Sequence, residues 1–176
     1  MKFKNKYYLM RHGESELNLN PSASFNSNDS ITKFPLTNKG REQVLQNFNN
    51  SDLYSKDFIV VCSDYLRAVE TAKIISKDFI ESNLLRERQS YILDDNDDLK
   101  EGFELKDYSN LLLAEEGVDN VIKRVELLLH NLEKEYSDKT ILLISHQDTA
   151  DVIQLFFNKS PLILNFSEII ELNKIF

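Results

Sequence analysis

Tyr7-Tyr8-Leu9-Met10-Arg11-His12-Gly13-Glu14 sets an Arg-His-Gly turn directly after a short apolar run. Ile141-Leu142-Leu143-Ile144-Ser145-His146 repeats that arrangement near the other end of the chain. Only 3 histidines occur in 176 residues, and these two segments place two of them where a strand ends and a loop begins. Continuous apolar runs of this length fit strands covered on both faces by helices. In open α/β sheets, ligands bind outside the carboxyl ends of the strands. Two imidazoles and an arginine at such a place can hold a phosphoryl group and accept it covalently.

Working outward, residues 3–10 read as the first strand, and residues 18–35 read as a long loop rich in Asn and Ser with Pro21 and Pro35. Thr37 is the expected N-cap of a helix to about Asn49, with Val44, Leu45 and Phe48 on one face. Residues 58–62 form a second buried strand. A helix follows to about Phe79, capped by Ser63 or Asp64, with Ala68, Ala72 and Ile75 on one side. Leu84, Leu85 and the next residues suggest a short strand, and the acidic stretch at about 94–110 an exposed insertion. Val118, Val121, Ile122, Val125, Leu128, Leu129 and Leu132 share one helical face. The strand at 141–144 precedes a helix at about 149–157, and 168–172 reads as a last strand. Alternating strands and helices predict an α/β fold, a three-layer sandwich with a mostly parallel central sheet flanked by helices. Length and the absence of a linker or repeat predict a single domain over residues 1–176.

The composition is that of a soluble globular chain, with 41% hydrophobic and 28% charged residues. A net charge of −8 speaks against a nucleic-acid partner, whose binding surface is normally basic. It leaves a small anionic substrate open, because distant carboxylates are screened over about 8 Å at physiological salt. Cys62 is the one cysteine, so no internal disulfide is possible, and its place in an apolar run predicts a buried thiol. The apolar run behind the basic N-terminal residues is too short for a signal peptide, and no stretch is long enough to span a membrane. The expected location is therefore cytoplasmic, with no membrane partner; oligomeric state is not readable from the sequence.

Four segments carry side chains suited to one reaction. Arg11 and His12 pair a guanidinium fork for phosphoryl oxygens with an imidazole that is largely neutral, hence nucleophilic, at pH 7. Arg67 falls in the first turn of the helix after a buried strand, where a helix N-terminus already favours anions. A purely structural arginine would be commoner in the last turn. His146 can stabilise charge in the transition state, whereas Asp148 reads as an N-cap. Glu87, in Leu84-Leu85-Arg86-Glu87-Arg88, supplies a carboxyl that a leaving alkoxide could use as a proton source.

Together these segments resemble the histidine phosphatase superfamily, the phosphoglycerate mutase-like proteins. Residues 11–18 resemble its opening signature, and Leu36-Thr37-Asn38-Lys39-Gly40 its helix start. Residues 63–72 resemble its Ser-x-x-x-Arg-Ala-x-x-Thr-Ala segment, Leu85-Arg86-Glu87-Arg88 its acid motif, and Ser145-His146 its second histidine motif. The resemblance implies a phosphoglycerate mutase-like fold and a phosphohistidine mechanism without metal or cofactor. His12 would be the nucleophile; Arg11, Arg67 and His146 the phosphate pocket; Asn18 a further contact; Glu87 the proton donor. Arg88 would touch the substrate beyond the phosphate.

The chain departs from that pattern at two places. Gln147 stands where glycine usually follows the second histidine, and its side chain is expected to narrow the pocket or contact substrate. The loop after Asn18 has Ser22 and Phe25 in place of the usual arginine and glycine, with Ser24 a candidate hydroxyl contact. Asp148 is a rival proton donor to Glu87. The expected activity is hydrolysis of a small phosphorylated metabolite by a phosphoric monoester hydrolase. Mutase-type phosphoryl transfer and a non-catalytic interaction domain are the alternatives. The stretch between the acid motif and the second histidine is short, which favours water as the acceptor.

Overall fold

The computed structural model describes residues 2–20, 27–88 and 116–173. The expected insertion at about 94–110 and the candidate contact Ser24 lie outside the described residues. In chain order the elements are β1 (Lys6–Arg11), α1 (Glu16–Leu19), α2 (Ser27–Thr32), α3 (Asn38–Asn49), β2 (Ile59–Ser63) and α4 (Leu66–Ile75). They continue with β3 (Ile80–Ser82), a 3-10 turn (Asn83–Leu85), α5 (Val118–Glu135), β4 (Thr140–Ser145), α6 (Gln147–Phe156) and β5 (Ile169–Glu171).

The strands form one sheet in the order β3-β2-β4-β1-β5. All pairs are parallel except β1 with β5. Because strand side chains alternate between faces, each apolar run feeds two cores. Tyr7, Leu9, Ile141 and Leu143 pack with Val121, Val125, Leu129 and Ile153 from α5 and α6. Tyr8, Met10, Leu142 and Ile144 pack on the other side with Val44, Phe48, Ala68 and Ala72 from α3 and α4. This is the three-layer α/β arrangement with a mostly parallel sheet that the alternating pattern predicts. Among the described residues, no helix is long and apolar enough to cross a membrane.

The loop after β1 is held by the start of α3. Thr37 caps that helix, its hydroxyl oxygen accepting from the Gly40 N–H at 2.8 Å. The Thr37 N–H donates to the Glu14 carbonyl at 2.9 Å, and its hydroxyl donates to Glu14 Oε1 at 2.9 Å. Lys39 Nζ reaches Glu14 Oε2 at 2.8 Å. The backbones meet so closely that a Cβ on Gly40 would overlap the Glu14 carbonyl oxygen. A Cβ on Gly13 would lie 2.7 Å from Val44 Cγ2 and 2.8 Å from the Gly40 oxygen. The spacing of Thr37 and Gly40 therefore seats a helix end on the Arg-His-Gly turn.

Several sequence expectations need correction. The stretch 18–35 is not all loop, since α1 and α2 both enter it. Leu45 is 51% exposed, so the α3 core face is Val44 and Phe48 without it. Tyr65, rather than Ser63 or Asp64, is the N-cap of α4, which stops at Ile75 where Ser76 becomes extended. Leu84 and Leu85 lie in the 3-10 turn after a strand at Ile80–Ser82, because Leu85 is fully buried between β2 and α5 instead of extending the sheet edge. Val118 is exposed at the start of α5. The helix after β4 begins at Gln147, with His146 as N-cap and Asp148 in the first turn.

Gly40→Ala should cost roughly 1–3 kcal/mol, as overpacking does, because the obstructing atom is backbone and cannot rotate away. The thermal midpoint followed by circular dichroism should fall by about 2–12 °C, and an unchanged midpoint would show that α3 and the turn do not need this close approach.

Candidate active site

Parallel pairing of β1 with β4 sets Arg11 opposite Ser145. The next residues on each strand, His12 and His146, thus leave the sheet side by side. The His12 N–H donates to the Ser145 carbonyl at 3.0 Å, extending the pairing one step beyond β1. The two imidazole centroids are 5.0 Å apart with the rings inclined by 59°. Both histidines are buried at the carboxyl end of the sheet.

His12 Nδ1 lies 2.7 Å from the Gly13 carbonyl oxygen. A carbonyl only accepts, so Nδ1 carries the proton and Nε2 presents its lone pair. Arg67 Nε donates to that Nε2 at 3.1 Å. Burial, then the Arg67 guanidinium, hold the His12 pKa well below the ordinary imidazole value. Its ring is therefore neutral at pH 7.

Arg67 is in the first turn of α4 and almost wholly buried. Burial pushes its pKa down to about 10, with the Glu87 carboxylate opposing, so it remains cationic near neutrality. Thr71, one turn later, locks this helix to the Arg-His-Gly turn. Its oxygen accepts from the Gly13 N–H at 3.1 Å, and its hydroxyl donates to the Arg67 carbonyl at 2.7 Å.

His146 Nε2 is 2.9 Å from Ser63 Oγ at the end of β2. Burial, then Arg67, depress its pKa well below the ordinary value, so it too is neutral at pH 7. Arg11 lays its guanidinium 4.4 Å from the centre of the Phe166 ring and donates from Nη1 to the Leu164 carbonyl at 2.7 Å. Among the described residues, Arg11 Nε, Arg67 Nη1 and His146 Nδ1 are buried without a partner. The two unmatched guanidinium donors are ready to bind an oxyanion, since buried donors left unpaired are costly, and His146 Nδ1 joins them wherever the ring proton is on that nitrogen.

Glu87 is brought in by a firmly anchored segment. Arg86 forks onto Asp64 at 2.6–3.1 Å. The Leu85 carbonyl accepts from Ser145 Oγ at 2.8 Å, and the Arg86 carbonyl from Thr149 Oγ1 at 2.7 Å. Arg124, itself paired with Glu116, donates to the Leu84 carbonyl at 2.6 Å. Glu87 Oε1 accepts from the N–H groups of Arg88 and Asp148 at 3.1 Å and of Thr149 at 3.3 Å. Despite these donors, burial and the nearby Asp148 carboxylate raise its pKa to about 7. An oxygen accepting three N–H bonds cannot also carry the proton, so the acidic proton resides on Oε2. Asp148 instead engages Arg88 Nε at 2.9 Å with its side chain 45% exposed.

The other sequence candidates are less central. Asn18 turns its Oδ1 back to the Ser15 N–H at 2.9 Å and the Ser15 hydroxyl at 2.7 Å, closing the first turn of α1. Arg88 is at the rim, paired with Asp148. Gln147 is 3.4 Å from Arg11 Nη1 but makes shorter bonds to Leu164 and Asp151. The sequence reading did not assign roles to Thr71, Leu164, Phe166 or Arg124. Thr71 was accessible in principle, lying one helical turn after Arg67. The others act across long sequence separations that no local pattern reports. Among the described residues, no three His, Cys, Asp or Glu side chains group as a metal site.

Residues 7–163 match the family model of the histidine phosphatase superfamily, branch 1. Among solved structures, the phosphoglycerate mutase of Thermus thermophilus aligns with a TM-score of 0.65 at 19% identity, covering 94% of this chain and 91% of that one. A candidate alpha-ribazole-5′-phosphate phosphatase of Escherichia coli K-12 aligns with a TM-score of 0.62 at 24% identity, covering 89% and 80%. YhfR of Bacillus stearothermophilus gives 0.64 at 19% identity, covering 93% and 87%. No curated protein matches the sequence significantly. At these identities the structural likeness speaks for the fold, while the match over most of the chain shows that it belongs to branch 1 of the histidine phosphatase superfamily.

Proposed function

We propose that this protein is a phosphatase that hydrolyses a small phosphate monoester through a phosphohistidine on His12. The observation that carries the reading is the His12 ring, its Nδ1 proton held by Gly13 and its Nε2 facing Arg67 among unmatched donors. A phosphoryl group would replace the Arg67–Nε2 contact and supply acceptors to Arg11, Arg67 and His146. Nε2 attacks phosphorus, the ester P–O bond breaks, and the leaving oxygen takes the Glu87 proton. Water then gives a proton to the Glu87 carboxylate and attacks phosphorus. The P–N bond breaks, releasing inorganic phosphate and neutral His12. Fixed cationic donors aimed at the developing charge supply the main stabilisation.

Hydrolysis is favoured over phosphoglycerate-type transfer by how the neighbouring cations are used. Arg86, Arg88 and Arg124 are paired with Asp64, Asp148 and Glu116. A second anionic group on the substrate would have to displace a carboxylate. A monoester of an uncharged alcohol meets no such cost. Location in the cytoplasm and action on a small molecule, without nucleic acid or membrane, belong to the same proposal.

His12→Ala should lower turnover of any phosphate monoester by about 10⁶-fold, as loss of a nucleophile does elsewhere. Phosphate release from a metabolite panel measures this, and near-wild-type release by the variant would end the mechanism. Quenching wild type into alkali or denaturing detergent should trap an acid-labile, base-stable phosphoryl group on the protein, absent from His12→Ala.

The pH profile follows from Glu87. As a raised acid it is protonated below about 7 and loses its proton above. Turnover of alkyl phosphates should therefore fall as pH rises through about 7, while His12, with a depressed pKa, stays neutral across that window. Glu87→Gln should abolish that descending limb and slow alkyl phosphates about 10²–10⁴-fold, with much smaller losses on aryl phosphates. Equal losses on both substrate types would move the donor role to Asp148.

A further inference from the structure

Gln147 begins α6 immediately after His146, and its amide is engaged at both ends. Oε1 accepts from the Leu164 N–H at 3.0 Å, while Nε2 donates to Asp151 Oδ1 at 2.7 Å and more weakly to the Leu162 carbonyl at 3.4 Å. Two helical turns on, Gln154 repeats the device. Its Oε1 accepts from the Leu162 N–H at 3.1 Å, and its Nε2 donates to the Leu162 carbonyl at 3.2 Å. Two glutamines of one helix thus bind a segment that belongs to no helix or strand. Side-chain burial does little for its first residues, since Leu162 is 60% and Ile163 84% exposed.

That segment holds Arg11. The Leu164 carbonyl takes a charge-assisted bond from Arg11 Nη1 at 2.7 Å, and Phe166, two residues on, stacks against the same guanidinium. Leu164 is therefore a two-ended link, its N–H bound by Gln147 and its C=O bound by Arg11. Resting on the phosphoryl-transfer reading above, we propose that Gln147 is a positioning residue that fixes the Leu164 carbonyl and through it aims Arg11 at the phosphoryl group, with Asp151 locking the Gln147 amide. Sequence reasoning expected this side chain to narrow the pocket or meet substrate; its short bonds instead face the segment behind Arg11.

The amide chemistry suits the role. It offers an acceptor to Leu164 and a donor to Asp151, and it brings no charge to the 3.4 Å approach to Arg11. A carboxylate at the same place would repel Asp151 and compete with phosphate for the guanidinium. A shortened side chain would release Leu164 and leave Arg11 with one fixed support, the Phe166 ring. Displacement of a binding group by about 1 Å can cost about 10²-fold, so partial release should cost roughly tenfold.

The test uses the full chain and reads inorganic phosphate binding by calorimetry together with steady-state kinetics on an aryl phosphate. Gln147→Ala should weaken phosphate and raise KM in parallel by roughly tenfold, with a smaller change in kcat, at a temperature well below its unfolding midpoint. Gln147→Glu should be weaker still. Adding Asp151→Asn to Gln147→Glu restores a donor–acceptor pair with reversed polarity and should recover part of the phosphate affinity, which a merely structural role would not do. If wild type binds and turns over while Gln147→Ala stays within twofold in both phosphate affinity and KM, the positioning role is wrong and the phosphatase reading stands. Should Gln147→Ala not fold, equal phosphate affinity in Gln147→Glu and the double variant overturns the role instead. If wild type neither binds phosphate nor hydrolyses the ester, both readings fall together.

Discussion

Parallel pairing of β1 with β4 is the interaction on which the rest of this structure depends. It joins segments more than 130 residues apart and sets Arg11 opposite Ser145, so that the two histidines emerge as neighbours. A slip of β1 by one residue would turn Tyr7 and Leu9 toward the wrong core and separate the imidazoles. Burial on both faces of the sheet therefore fixes the register, and the register fixes the site. The antiparallel strand β5 then covers the outer edge of β1. The turn before it returns to the site, where the Ser167 N–H reaches the Arg11 and His12 carbonyls at 3.0 and 3.2 Å.

Around that pair the protein holds charge in a costly state. Arg67 is buried with its Nε against a neutral imidazole, and that burial depresses its pKa although the Glu87 carboxylate opposes. Both histidines are kept neutral by burial and by the same guanidinium. Glu87 is held as a weak acid even though three backbone N–H groups favour its ionised form. A dianionic phosphoryl group would relieve Arg67 and the two histidines, since it brings negative charge and acceptors together, and would hold Glu87 in its protonated, donating form. The site is thus preorganised for negative charge. The outer arginines contrast with this, because Arg86 and Arg124 are spent as fasteners for the segment that carries Glu87.

Much of this was readable in the sequence where the information is local. Apolar runs before His12 and His146 marked strand ends, Thr37 and Gly40 marked a helix start, and Arg67 stood out in a first turn where a cation needs a reason. The acid segment was harder. Leu84 and Leu85 have strand-like composition, but the pull of Leu85 into the core and the bonds from Ser145, Thr149 and Arg124 make a 3-10 turn instead. Helix starts at Tyr65 and His146 were misplaced for a related reason. Ser63 is occupied by His146 and Asp148 by Arg88, so neither side chain serves as the cap its type suggests.

The sequence by itself determined the fold class, the membership in a family and the residue types that meet in the site, because hydrophobic period, turn chemistry and motif order are properties of short windows. The tertiary structure alone decided what each of those residues is doing. Which imidazole nitrogen is free depends on a neighbouring carbonyl, and the acidity of Glu87 depends on how deeply a distant turn buries it. Whether Gln147 faces substrate or braces Arg11 depends on a segment 17 residues further along the chain. Protonation, desolvation and aim are set by the atoms that surround a group in space, and sequence distance carries almost no record of them.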